Sequence, residues 1–64
     1  MSRLEICRHE LRAEIRCALR VQGFFDNRNE QTTAEDVAEA WLDVKLAAER
    51  MADAAQEAKE LSAN

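Results

Sequence analysis

Cys7, His9 and Cys17 are the only cysteines and the only histidine of a 64-residue chain, so any thiol or soft-metal chemistry has to start from them. A structural zinc centre wants four ligands, grouped as pairs two to four residues apart. One histidine between two cysteines ten positions apart does not supply that set. His9 stands near Arg12 and Arg16, with no serine or paired carboxylate spaced to orient it, so it reads as a surface side chain and not as a general base. Two cysteines ten apart on one straight helix cannot bridge each other. Cys7 is expected as a small core residue and Cys17 at a seam between two copies, both as free thiols in a reducing, cytoplasmic setting. No catalytic residue, metal ligand or cofactor is therefore assigned, and the chain is expected not to be an enzyme.

Arg8, Arg12, Arg16 and Arg20 recur every four residues, with Arg3 ahead of them. Two uses fit such a flank. It can pair with acids on a neighbouring helix and so set antiparallel register, or it can dock on phosphates or an acidic protein surface. Residues 33–64 carry eight acids against three bases, which favours the first use. The formal net charge of −4 and a pI near 4.9 argue mildly against nucleic acid as the default partner. Phe24, Phe25 and Trp41 are the aromatic side chains available as partner anchors.

The elements that would carry these groups are helical. The chain has no proline, one glycine and about a fifth alanine, and it contains no alternating segment that suits a strand. Ser2 is an N-cap with Glu5 at capping-box spacing, opening a first helix over about 3–22. On it Leu4, Cys7, Leu11, Ile15, Ala18 and Leu19 share a face at about 100° per residue. Gly23 is expected as the C-terminal cap, followed by a turn over about 23–32. Thr32 or Thr33 caps a second helix over about 33–61, with Glu35 and Asp36 in its first turn. Its apolar stripe is Val37, Trp41, Val44, Ala48, Met51, Ala55 and Ala58, with Ala40, Ala47 and Ala54 beside it. No apolar run exceeds three residues, so no membrane span and no signal-peptide core is expected.

The expected fold is thus one all-α domain over 1–64, an antiparallel two-helix hairpin with unequal arms. The second helix overhangs the first, so that residues 54–63 lack an intramolecular partner. Both helices also carry apolar residues away from the stripe, and a chain this small is marginal alone. A homodimer in the form of a four-helix bundle follows, with Ile6, Ala13, Cys17, Ala38, Leu42, Leu46, Ala55, Ala58 and Leu61 as its candidate interface. In plan, two helices of this length pairing into a bundle are similar to the plasmid copy-number protein Rop, which binds paired RNA loops. The likeness is one of size and helix count, with no shared residue motif.

The expected function is a small protein-binding module, a helical dimer that occludes a partner as regulators, antitoxins and phage-type inhibitors of host machinery do. Its candidate partner-binding residues are Arg8, Arg12, Arg16, Arg20, Phe24, Phe25 and Trp41. The alternative implied by the Rop-like plan is an RNA- or DNA-binding regulatory dimer that uses the arginines of the first helix.

Overall fold

The computed structural model describes residues 2–28 and 30–62. Two α-helices, α1 over Arg3–Asp26 and α2 over Ala34–Ser62, pack against each other as an antiparallel hairpin. Both start where short-range hydrogen bonding dictates. The Ser2 hydroxyl accepts from the Glu5 backbone N–H at 3.2 Å. At α2 the exchange is reciprocal: the Thr33 hydroxyl accepts from the Asp36 N–H at 3.2 Å, and an Asp36 carboxylate oxygen accepts from the Thr33 N–H at 2.9 Å. Thr33, not Thr32, is therefore the cap, and the negative side chain sits where the helix dipole favours it.

The first helix ends later than its glycine suggests. Gly23 lies inside α1 with an ordinary helical φ, and the last turn runs on through Phe24, Phe25 and Asp26. A glycine in a helix costs only about 1 kcal/mol relative to alanine, and no proline follows to enforce a stop. Asn27 does the capping, its backbone N–H and side-chain Nδ2 donating to the Gly23 carbonyl at 3.1 and 2.9 Å. The left-handed residue that usually follows a cap is here Arg28, at φ 58°.

Packing is set by a strict three-four repeat on both helices. The inward positions of α1 are Leu4, Cys7, Leu11, Glu14, Ala18 and Val21, and those of α2 are Val37, Ala40, Val44, Ala47, Met51, Ala54 and Ala58. The deepest are small: Cys7, Ala18, Ala47 and Ala54 are the buried residues, Ala18 at 0% exposure and Ala47 at 1%. Small side chains let two helices approach closely, and an indole or a second row of leucines does not fit between them. Of the stripe expected on α2, Val37, Val44, Met51 and Ala58 lie in the seam, and the members between them are displaced by one position. Ala40, Ala47 and Ala54 hold the seam, while Trp41, Ala48 and Ala55 lie on its flank. On α1, Leu19 is 57% exposed and Glu14 takes an inward place.

Cross-helix contacts fix the alignment: Arg3 pairs with Glu57, Glu10 with Arg50 at 3.6 Å, and Trp41 Nε1 donates to Gln22 Oε1 at 3.1 Å. Position 3 thus lies beside 57, 10 beside 50 and 22 beside 41. The expected overhang is not found, because Ser2, Arg3 and Leu4 line a groove with Ala54, Glu57, Ala58 and Leu61. With α1 at 24 residues and α2 at 29, the arms are less unequal than expected, since α1 continues past Gly23.

Candidate interaction surface

Once the seam is known, helical geometry divides the remaining positions between two long sides of the hairpin. One side is formed by Arg8, Ile15 and Gln22 of α1 beside Ala34, Trp41, Ala48, Ala55 and Ser62 of α2, and the Trp41–Gln22 hydrogen bond ties it together. Arg8 is its single charged residue. The opposite side is formed by Arg3, Glu10, Cys17 and Phe24 beside Asp36, Asp43, Arg50 and Glu57, and both inter-helix ion pairs lie on it. Six of those eight positions are charged. The hairpin therefore has an apolar side and a charged side, a division that net charge conceals.

Its shoulders are mixed, with Leu19 on α1 and Ala38 and Ala52 on α2 standing among Glu5, Arg12, Asp26, Lys45 and Lys59. Trp41 is 37% exposed, its indole N–H satisfied by Gln22 and much of its ring open. The sequence places it on the core stripe of the second helix. Its flank position follows from the small width of the seam. Gln22 was not singled out from the sequence, and neither was Glu14. The signal for Glu14 was the strict repeat itself, which passes through position 14 only if a carboxylate is accepted in the seam.

The other candidate positions are spread over several surfaces. Of the expected dimer residues, Ala38 and Ala55 lie on or beside the apolar side, while Ile6, Ala13, Cys17 and Leu46 lie on or next to the charged side. Leu42 is on the outer back of α2, Ala58 is in the seam, and Leu61 closes its open end. The structure does not gather these nine into one patch. Phe24 faces the charged side and Phe25 ends the seam, both about half-exposed in the last turn of α1 and not after a cap.

The arginine ridge winds from the border of the apolar side at Arg8, over the shoulder at Arg12, to the back of α1 at Arg16 and Arg20. All four are exposed, and among the described residues none of them forms an ion pair; the inter-helix pairs are made by Arg3 and Arg50 instead. Pairing of this ridge with the acids of α2 is thus not what the hairpin uses to set its register.

Cys7 is a buried free thiol in the seam and Cys17 an exposed one. Cys17 borders a shallow groove with Glu14, Val21, Asp36, Glu39, Ala40 and Asp43. Among the described residues no group of three or more histidine, cysteine or acidic side chains is placed to hold a metal ion. No helix of the described residues is long and apolar enough to cross a membrane. Comparison with protein families, curated proteins and solved structures gave no match for this chain.

Proposed function

We propose that this chain is a non-enzymatic protein-binding module that acts as a helical dimer, two hairpins forming a four-helix bundle that covers a functional surface of a partner protein. The observation that supports it is the amount of surface the hairpin leaves uncovered, together with the large apolar side chains that lie on it. A compact monomer of 7.3 kDa exposes about 4,200 Å², whereas this chain exposes 5115 Å². The excess of about 900 Å² is close to what one partner contributes to a stable protein interface, about 800 Å². The radius of gyration is 15.1 Å, against about 11 Å for a compact domain of this length. Ile6, Leu19, Phe24, Phe25, Trp41, Leu42, Leu46 and Leu61 are all exposed, and among the described residues no large side chain is fully buried.

The test is affinity capture from the source cell, with and without nuclease, alongside light scattering of the purified chain. A discrete protein captured regardless of nuclease, together with a dimer in solution, is the expected result. A monomer at micromolar concentration, or no protein above background, removes the proposal.

A second reading, a Rop-like dimer that binds RNA or DNA through the first helix, is favoured by the unpaired ridge of Arg8, Arg12, Arg16 and Arg20. It requires that binding weaken steeply with salt and that Arg12→Glu with Arg16→Glu abolish it while the helices stay folded. A missing or salt-insensitive gel shift eliminates it.

A further inference from the structure

We infer that the occupant of the apolar side is a second copy of this chain, laid across it head to tail about a two-fold axis, with α1 on α1 and α2 on α2. The inference rests on the dimeric reading above and adds the face, the direction and the pairs.

The choice of face comes from charge. Of the eight positions that line the seam on each side, six are charged on one and only Arg8 on the other, where Glu5, Arg12, Lys45 and Lys59 lie farther out on the shoulder, and the core of an interface excludes unpaired charge. The direction also comes from charge. Residues 18–43, the half of the hairpin nearest the turn, carry six acids and two bases, while the remaining residues carry seven of each. The entire net charge therefore sits at one end. A parallel dimer would set two such ends side by side, whereas a head-to-tail dimer places each against the neutral half of the other.

Side-chain shapes then agree on one axis. On α1, a two-fold level with position 17 sets Ile15 against the partner's Leu19 and Arg8 against the partner's Asp26. On α2, a two-fold between Val44 and Lys45 sets Trp41 against the partner's Ala48, a large ring over a small residue, and Ala34 against the partner's Ala55. These two points are level within the hairpin, because 10 lies beside 50 and 22 beside 41. One axis therefore serves both helices without any shift.

Asp26 gives an independent reason. It is an acid in the last turn of α1, which holds no base, and negative charge is unfavourable at that end of a helix. Within the chain it accepts from the neutral Gln22 amide at 2.9 Å. Arg8, without an ion pair among the described residues of its own hairpin, supplies the missing cation from the second copy.

Four measurements test this. Wild type should be a dimer by sedimentation. Ala48→Glu should weaken association more than about 100-fold by placing a charge in the contact, whereas Ala13→Glu, near the charged side, should not change it. Both positions are exposed in the hairpin, so helicity is retained, and Leu19→Lys serves as a second disruptive variant. Arg8→Asp or Asp26→Arg alone should each weaken the dimer about tenfold, with the double variant restoring it. Finally, spin labels at Glu30→Cys, in a background carrying Cys7→Ala and Cys17→Ser, should lie roughly 40 Å apart, from 1.5 Å of rise per residue on either side of the axis.

A dimer that survives both Ala48→Glu and Leu19→Lys overturns the face and leaves the dimeric reading standing. Labels closer than about 20 Å overturn the direction, since parallel hairpins bring their turns together. A double variant no tighter than the single ones overturns the Arg8–Asp26 pair. A monomeric wild type overturns both the inference and the reading beneath it.

Discussion

Gly23→Ala is expected to stabilise this protein, and the sign is decided by where α1 ends. Were Gly23 the left-handed cap that its sequence position suggests, an added Cβ would be strained and the variant would lose stability. In the structure Gly23 is helical, and a Cβ built on it meets nothing within 4 Å. The carbonyl that accepts from Asn27 belongs to the backbone and survives the change. What remains is the entropy glycine loses on entering a helix, so the gain is about 0.5–1 kcal/mol. For a domain of this size each kcal/mol moves the midpoint by about 4–8 °C, so the rise is about 2–8 °C. Thermal unfolding followed by circular dichroism at fixed protein concentration measures it. Arg28→Gly is the companion variant, since it relieves the left-handed conformation at φ 58° and is expected to add about 1 kcal/mol. A drop in midpoint for Gly23→Ala, or a loss for Arg28→Gly, would refute this placement of the helix end.

The seam is tested by Ala18→Gly set against Ala13→Gly. Both lose about 1 kcal/mol of helix propensity, but Ala18, at 0% exposure, also forfeits a buried methyl worth about 0.8 kcal/mol, so equal melting shifts would contradict the packing. Glu14→Leu is expected to raise the midpoint by several degrees, about 1 kcal/mol, because it fills an inward position and removes a charge from a groove shared with Asp36, Glu39 and Asp43. Arg50→Ala is expected to change stability by less than about 0.5 kcal/mol, because its pair with Glu10 is half-exposed; a denaturation midpoint moved by more would show that the pair matters. Trp41 emission is expected to shift to the blue as protein concentration rises and its ring, 37% exposed in the hairpin, is covered; an emission maximum independent of concentration counts against its burial on association.

What could be read from the sequence alone was whatever depends on neighbours three or four residues apart. Ser2 with Glu5, and a threonine with an acid three residues on, identify two helix starts, because capping is a local exchange of hydrogen bonds. The absence of proline and the abundance of alanine make both segments helical, and two helices joined by a short polar turn pack antiparallel. The phase of the seam was legible only in part, through Leu4, Cys7, Leu11 and Ala18 on α1 and Val37, Val44, Met51 and Ala58 on α2. Ile15, Leu19 and Trp41 pull an apolar count toward one face, whereas the real seam passes through Glu14, Ala47 and Ala54. Which of two neighbouring stripes turns inward depends on how near the second helix can come, a distance that one helix read alone does not contain. The same dependence moved Trp41 to the flank, whereas the end of α1 at Asn27 is a local matter of capping. The local sequence determined that there are two helices and where each begins. The approach of one helix to the other decided which residues are buried, and through that, which side is left apolar.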